Sequence, residues 1–380
     1  MSATARPSPI SETERRQRLA TLRASMDAGN VEAVLLGSTE SLRYFTGLVW
    51  HQSERLVGAL ITRSDLFYIV PGFERSRVDS LPKLAGTIVT WEEDENSAET
   101  VAGLLSPKDR VALDDALPLF VYHALAASIG AERLSDGARL IRDIRLRKSA
   151  AEIGIIQYAM NLTLEVHRRA HGFIRPGVLA SDVVRYIDEQ HRSLGAEAGS
   201  SFCIVSFGEA TSLPHGADGE QTYAPGDVIL VDTGCRIDGY HSDLTRTYVL
   251  DEPDADFARA WAIEREAQQA VFDAATLGAA CASLDDAARA VMVRHGLGPD
   301  YALPGLPHRA GHGLGLEIHE EPYIVRGNQT ALASGMCFSN EPMIVFPGRY
   351  GIRLEDHIFM TETGAQWFTL PGKSPTEPFA

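Results

Sequence analysis

The sequence predicts an α+β protein of two domains, a small α/β domain over residues 1–145 and a larger domain over residues 146–380. Up to about residue 140, strand-like segments such as NVEAVLLGS and GTIVTWEE alternate with helical segments. Beyond that point, long amphipathic helices such as DFARAWAIEREAQQAVFDAATLG are segregated from hairpin-like strands, which is typical of an antiparallel sheet. A chain of 380 residues is long enough to form two sizeable cores.

The elements follow in chain order. SETERRQRLATLRASMDAG predicts a helix, and VGALITRSDLFYIVP and DRVALDD predict strands of the first domain. The stretch that begins RLIRDIRLRKSAAEIGIIQYAMN is strongly charged at first and then continues as a long amphipathic helix. We place the domain junction in its first third. CASLDDAARAVMVRHGLG predicts a further helix of the second domain.

Charge and composition exclude several classes of partner. Lys plus Arg is 35 and Asp plus Glu is 51, which gives a net charge of −16, and no basic run offsets it locally. Nucleic acid and anionic membranes are therefore not expected as partners. The chain has no apolar stretch of the ~20 residues that span a bilayer and no secretory signal pattern, so we expect a cytoplasmic protein. The four cysteines are widely spaced without a CxxC pair and are expected to be reduced.

Residues 230–248, LVDTGCRIDGYHSDLTRTY, have the pattern of a buried hairpin. Asp238 and Gly239 form a strong tight-turn signal between two strand-like runs. If the turn centres on this pair, Asp232 lies opposite Thr245, and Asp243 is diagonal to Asp232 on the same face. Two ionised carboxylates in one partly buried space are costly unless a proton or a cation lies between them. Either the acids hold a metal or one of them stays protonated.

A second hairpin repeats this arrangement. GMCFSNEPMIVF and GIRLEDHIFMT flank a Pro347–Gly348 turn, and Glu341 and Glu355 are equidistant from Gly348, which places them opposite each other. Four carboxylates exceed what one ion usually takes, whereas two ions about 3.5–4 Å apart would use all of them.

The loop PHRAGHGLGLEIHEEP between the hairpins is rich in glycine and histidine. One imidazole joined to four carboxylates is an oxygen-dominated ligand set, which suits Mn²⁺ and tolerates Co²⁺ or Zn²⁺. GHGLGLE also half-matches a dinucleotide-binding fingerprint, but Pro304 and Pro307 interrupt any strand that leads into it. The loop contains three histidines, His308, His312 and His319.

These motifs, taken in order, resemble the aminopeptidase P, prolidase and creatinase family. LRYFTG is similar to the creatinase-type N-terminal domain and IRLRKSAAEI to the junction signature, while VDTG, GYHSDLTRT, GHGLGLEIHE, NEP and GIRLED match the motifs of its pita-bread catalytic domain with a curved antiparallel sheet. The resemblance implies a two-metal hydrolase with manganese as the expected metal. By resemblance, the metal ligands are Asp232, Asp243, His312, Glu341 and Glu355.

The resemblance also implies roles for further residues. Glu341 is the expected proton acceptor and donor when water or hydroxide between the two ions attacks the scissile carbonyl. His319 is similar to the histidine that stabilises the tetrahedral intermediate, His215 to one near the substrate carbonyl, and His308 to another pocket histidine. Arg353 matches an arginine that organises the carboxylates.

The substrate expected from the resemblance is a Xaa-Pro dipeptide, cleaved before proline. Arg326 and Arg309 are candidates for binding its free carboxylate, and the family's architecture suggests a homodimer in which Trp50 and His51 complete the partner's site. Alternatives are an aminopeptidase P acting on longer peptides, a small-molecule hydrolase or lyase such as an ectoine hydrolase, and a metal-free binding module. One departure stands out, because Val345 replaces a tyrosine that relays protons in many members.

Overall fold

The computed structural model describes residues 5–196, 198–214 and 216–379. The chain divides into two compact units, one formed by Ile10–Arg145 and the other mainly by Leu146–Ala380. Each unit contains helices and a hydrophobic core of its own. The predicted α+β fold is confirmed.

The first unit is built on a six-stranded sheet with helices around it. The sheet has the order β4-β3-β2-β1-β5-β6, in which β2 is antiparallel to both neighbours and the remaining pairs are parallel. Strand β1 is apolar and buried throughout, as expected for a central strand covered on both faces. Its elements are α1 Glu12–Ala28, β1 Ala33–Leu36, α2 Glu40–Thr46, β2 Gly58–Thr62, β3 Leu66–Pro71, α3 Arg75–Ser80, β4 Thr87–Trp91, α4 Ser97–Ala102, β5 Val111–Leu113, α5 Leu119–Ile129, β6 Leu134–Asp136 and α6 Ala138–Arg145.

The second unit combines long helices with antiparallel sheets. Its first helix begins at a capping box, in which Ser149 and Glu152 satisfy each other's backbone amides. No described helix combines the length and the apolar character needed to cross a bilayer. The elements are α7 Ala150–Phe173, α8 Ala180–Ser193, β7 Ser200–Phe207, β8 Ile229–Ile237, β9 Tyr240–His241, β10 Leu244–Tyr248, α9 Ala255–Ala274, α10 Cys281–Arg294, β11 Gly311–Gly313, β12 Glu320–Ile324, β13 Cys337–Asn340, β14 Met343–Phe346, β15 Tyr350–Arg353, β16 Asp356–Thr361 and β17 Gly364–Trp367.

The first hairpin has the predicted register. Strand β8 turns through Asp238 and Gly239, whose φ angles of 47° and 86° are both positive, as a type I′ turn requires. Thr245 on β10 is the partner of Asp232 on β8. The returning chain runs so close to β8 that a Cβ at Gly234 would lie 1.9 Å from the Ser242 carbonyl oxygen. Glycine is therefore required beside the segment that carries the second acid.

The second hairpin has the predicted register but not the predicted continuity. Strand β14 pairs with β15, and β13 pairs with β16, in one common register. The ladder is interrupted between these two parts, at the positions of Glu341 and Glu355. The Glu341 amide donates to the Ala310 carbonyl at 2.9 Å, and the Glu355 amide donates to the Thr245 carbonyl at 3.1 Å. Both acids therefore lie at a junction of strands rather than inside one ladder.

Candidate metal centre

One cleft of the second unit collects the five predicted metal ligands. Its volume is about 720 Å³. The polar part of its lining comes from the two hairpins and the glycine-rich loop between them, and its apolar part includes Phe202, Ile204, Pro307 and Ile318. The predicted ligands that line it are Asp232, Asp243, His312, Glu341 and Glu355.

Asp232 is held from one side by Arg353. One Asp232 oxygen, Oδ2, forms a close ion pair with the Arg353 guanidinium. The same guanidinium donates from Nε to Thr245 Oγ1 at 3.1 Å and from Nη1 to the Pro214 carbonyl at 3.3 Å. Asp232 Oδ1 is buried, and no hydrogen-bond partner for it exists within the described residues. One oxygen of Asp232 is thus occupied and the other remains available for a cation.

The His312 imidazole lies close to three other predicted ligands. Its Nε2 lies 3.0 Å from Glu341 Oε1 and 3.8 Å from Asp243 Oδ2. Its Nδ1 lies 3.0 Å from the Gly313 carbonyl oxygen, to which it donates, so Nε2 is the nitrogen directed at the acids. Single ligand atoms of Asp243, His312 and Glu355 all lie within 4.8 Å of one another. That spacing is compatible with a shared cation.

Both oxygens of Glu355 interact with neighbouring side chains. Thr245 Oγ1 donates to Oε2 at 2.7 Å, and His357 Nε2 lies 3.1 Å from Oε1. Each carboxylate oxygen has two lone pairs, so these contacts leave one on each oxygen for metal ions. Glu341 is oriented similarly, because Ser339 Oγ donates to its Oε1 at 3.0 Å.

The crowded carboxylates resist ionisation when no metal compensates them. Burial and the charges of Glu341 and Glu355 raise the pKa of Asp232 to about 6, although Arg353 opposes the shift. Burial and the charge of Glu341 raise the pKa of Glu355 to about 7. Burial and the charges of Glu355, Asp232 and Glu341 raise the pKa of Asp243 well above its usual range. The metal-free site therefore holds protons that a cation would displace.

Glu341 differs from the other three acids, because its pKa is lowered by the adjacent His312. Burial by itself would raise the pKa of Glu341, but the adjacent His312 reverses this and lowers it far below its usual range. Burial disfavours the charge on His312, yet the contact with Glu341 raises the pKa of the imidazole. The two side chains make an ion pair in the metal-free protein. The Nε2 proton of His312 has to leave before this nitrogen can bind a metal.

The residues present fit divalent metal ions. The cleft supplies four buried carboxylates and one imidazole, and one carboxylate oxygen, Asp232 Oδ1, is unpaired within the described part of the chain. Packing alone offers no compensation for such a concentration of negative charge, whereas a cation does. Oxygen-rich donors of this kind suit hard divalent ions better than they suit a structural zinc ion.

The structure places most of the other predicted site residues in the same cleft. His308 and His319 line it, and the ring centroids of His319 and His312 are 4.1 Å apart. His308 donates from Nδ1 to the Arg309 carbonyl at 2.6 Å, and burial lowers its pKa, which leaves the imidazole neutral. Arg309 also lines the cleft, whereas Arg326 pairs with Asp300 on the surface at 2.7 Å. His215 lies outside the described residues.

Sequence reasoning missed the side chains that support the ligands. Ser339 and His357 were not singled out, and Thr245 served only to establish the register. All three contact a predicted ligand. The signal that identifies two of them is the two-residue period of a strand, since Ser339 precedes Glu341 by two positions and His357 follows Glu355 by two.

Val345 is not among the described residues that line the cleft. It packs in the hydrophobic core of the second unit and lines a neighbouring cavity of about 460 Å³, together with Leu213, Leu303 and Pro347. Leu213 and Pro214 are consecutive but line different cavities, so the two cavities adjoin. The Val345 side chain therefore lines a cavity other than the one that holds the acids.

Comparison with known proteins agrees with this geometry. The model of metallopeptidase family M24 matches residues 154–362, and the model of the creatinase/prolidase N-terminal domain matches residues 18–147. The chain belongs to metallopeptidase family M24. The resemblance inferred from the motifs is confirmed, as is a creatinase-type domain followed by a pita-bread catalytic domain. This M24 protein is a metal-dependent peptidase.

Individual relatives of this M24 peptidase match over nearly their full length. A probable dipeptidase PepE of Mycobacterium tuberculosis is 34% identical over 352 residues, which is 90% of this chain and 90% of the relative. A Xaa-Pro dipeptidase of Lactobacillus delbrueckii subsp. lactis is 29% identical and covers 92% of this chain and 95% of its own length. The crystal structure of dipeptidase PepE from Mycobacterium ulcerans has a TM-score of 0.89 at 30% identity, with 98% of this chain and 99% of that chain covered.

Proposed function

We propose that this M24 peptidase is a Xaa-Pro dipeptidase with a two-metal centre. The observation that carries the proposal is the convergence of four carboxylates and one imidazole on a single cleft. The relative from Lactobacillus, whose name is Xaa-Pro dipeptidase, supports the choice of substrate. The five side chains that would hold the ions are Asp232, Asp243, His312, Glu341 and Glu355.

Divalent ions at such a site supply an activated water and polarise the scissile carbonyl. The chain's own residues move the proton. Glu341 is the acid that is ionised beside His312, which lowers its pKa, and Ser339 fixes one of its oxygens. It therefore receives the proton of the attacking water and delivers it to the proline nitrogen as the bond breaks.

The two histidines of the cleft stabilise and orient the substrate. His319 stands next to His312 and donates to the carbonyl oxygen as negative charge develops on it. His308 donates from Nδ1 to a backbone carbonyl, so its Nε2 carries a lone pair that is buried without a partner in the described structure. That lone pair accepts a hydrogen bond from the substrate's amino group.

Arg309 gives the preference for dipeptides. Its guanidinium lines the cleft and stacks over Tyr323 at 4.5 Å from the ring centroid, which fixes the plane of its donors. The free carboxylate of a dipeptide binds this guanidinium, whereas a longer peptide has an uncharged amide at the same position. The apolar wall of Phe202, Ile204 and Ile318 accommodates the proline ring.

The test is a substrate series on the metal-reconstituted protein. We expect hydrolysis of Ala-Pro, little hydrolysis of Ala-Ala, and a lower kcat/KM for Ala-Pro-Ala. Arg309→Met should raise KM for Ala-Pro and leave Ala-Pro amide almost unaffected, with Arg326→Met as the matched surface control. Preferred cleavage of the tripeptide would favour an aminopeptidase P, and turnover of ectoine without peptide hydrolysis would favour a small-molecule hydrolase.

Three finer assignments belong to the same proposal. Manganese is the metal that the carboxylate-rich donor set favours, and metal analysis of the purified protein together with reconstitution by Mn²⁺, Co²⁺ and Zn²⁺ tests this. A homodimer is testable by light scattering. A cytoplasmic location is supported by the four free cysteines, because reduced thiols are typical of that compartment.

A further inference from the structure

The side chain of His357 is buried against one of the predicted metal ligands. It lies on β16, two residues after Glu355, and is fully inaccessible to solvent. Its Nε2 is 3.1 Å from Glu355 Oε1. In the form that would bind a metal, Glu355 is an ionised carboxylate, which only accepts hydrogen bonds, so Nε2 carries the hydrogen. Nδ1 is buried without a partner in the described structure, which fits a bare lone pair better than an unsatisfied N–H.

His357 is one member of a cross-strand pair that serves both glutamates. Its partner on β13 is Ser339. Ser339 Oγ donates to Glu341 Oε1 at 3.0 Å, and it accepts a hydrogen bond from the His312 amide at 2.8 Å. Side chains two positions apart on a strand share a face, so each member of the pair reaches the acid on its own strand. A single pair at the base of the hairpin thus orients both acids.

Glu355 consequently has a fixed carboxylate plane. Thr245 donates to Oε2 at 2.7 Å while His357 donates to Oε1, and the two donors come from different strands. Thr245 is itself held by Arg353, whose Nε donates to it at 3.1 Å. Without His357, only one oxygen would be fixed, and the carboxylate would be free to rotate away from the position in which both oxygens face the cleft.

We propose that His357 is a positioning residue of the metal centre, which orients Glu355 for divalent-cation binding through the Nε2–H donor. The inference rests on the proposed function insofar as Glu355 is a metal ligand. It is independent of the peptide that the enzyme cleaves, because it concerns only how the site binds metal. Donors of this kind typically change metal affinity or activity by about 10–100-fold when they are removed.

The test uses variants that differ in whether they keep the donor. In His357→Gln the amide nitrogen is separated from Cβ by the same number of bonds as Nε2, whereas the amide of His357→Asn is one bond shorter and does not reach Glu355. His357→Leu removes the donor at similar volume. We expect Mn²⁺ titration into the metal-free proteins by calorimetry to show about 10–100-fold weaker binding for the Asn and Leu variants and near-native affinity for Gln.

His191→Leu is the control for a merely structural effect. His191 is equally buried, and its two nitrogens contact the Ser200 and Thr163 hydroxyls rather than a predicted ligand. We expect this variant to lower the thermal stability of the metal-free protein without weakening Mn²⁺ binding. Native affinity in His357→Leu, or equal losses in the Gln and Asn variants, would overturn the inference, as would a native protein that binds no Mn²⁺. Intact Mn²⁺ binding without Xaa-Pro hydrolysis would overturn only the proposed substrate.

Discussion

Glu264 is a buried carboxyl group outside the metal centre, and it makes the stability of the protein sensitive to pH. It lies on α9 on the face that packs against β14 and β15, and its side chain is fully buried. Neither of its oxygens has a hydrogen-bond partner within the described residues. Burial raises the pKa of Glu264 well above its usual range, and the Arg353 charge opposes this only in part. The folded protein therefore keeps a proton here that the unfolded chain releases.

The size of the effect follows from proton linkage. A carboxyl whose pKa is raised in the folded state destabilises the fold above its unfolded pKa, and the penalty grows with pH until the folded group ionises. In that range one extra proton is bound by the folded state, so the free energy of unfolding falls by about 1.4 kcal/mol per pH unit. Glu264→Gln removes the proton but keeps the shape. From about pH 5.5 upward we therefore expect the stability of the variant, relative to native protein, to rise with pH, at a rate of at most about 1.4 kcal/mol per pH unit.

The measurement is urea unfolding of the metal-loaded proteins at several pH values, followed by tryptophan fluorescence. Trp261 lies one helical turn before Glu264 and reports on the same packing. Glu220→Gln is the matched control, because an exposed carboxylate whose pKa is lowered by Ser181 is ionised in both states throughout this range. Its difference from native protein should not change with pH. A Glu264→Gln difference that is flat, or that falls as pH rises, would refute the reasoning.

Three further predictions concern the cleft. Asp243→Asn and Glu355→Gln should each abolish Ala-Pro hydrolysis and lower the melting temperature in Mn²⁺, because both lie within the densest part of the ligand cluster; near-normal turnover in either variant would contradict their assignment as ligands. Chelation should lower the melting temperature most at neutral pH and less toward about pH 5, because the raised pKa values of Asp232, about 6, and Glu355, about 7, mean that protonation relieves the repulsion in metal-free protein as pH falls. A gap between metal-loaded and metal-free melting temperatures that does not narrow would count against this. Val345→Tyr should leave kcat unchanged, since that position lines the neighbouring cavity; a faster steady-state rate would show that the phenol reaches the reacting atoms.

The registers of both hairpins were predictable because they are local. A tight turn fixes which positions face each other, and the two-residue period of a strand fixes which side chains share a face. Counting from Asp238 and Gly239 was therefore enough to pair Asp232 with Thr245. The same counting from Gly348 gave the common register of the second hairpin.

The supporting contacts were less accessible because they join distant parts of the chain. Arg353 meets Asp232 across 121 positions, and Thr245 meets Glu355 across 110. The strand order of the first unit was difficult to predict for the same reason. Strand β1 pairs with β5, and three other strands lie between them along the chain. Val345 shows a related limit, because a motif gives the position of a residue in the chain but not the cavity that its side chain enters.

The backbone amides of Glu341 and Glu355 explain how ligands from separate segments come to share one cleft. At the break, the Glu341 amide bonds to Ala310, two residues before His312, and the Glu355 amide bonds to Thr245, two residues after Asp243. Each glutamate is thus tied through its backbone to the segment that carries another ligand. Glu341 and Glu355 occupy a non-hydrogen-bonded position of the common register, so their amides point outward to the flanking segments. The carbonyl groups of two distant segments accept hydrogen bonds from these amides, so the four ligands are positioned by one hydrogen-bonded frame.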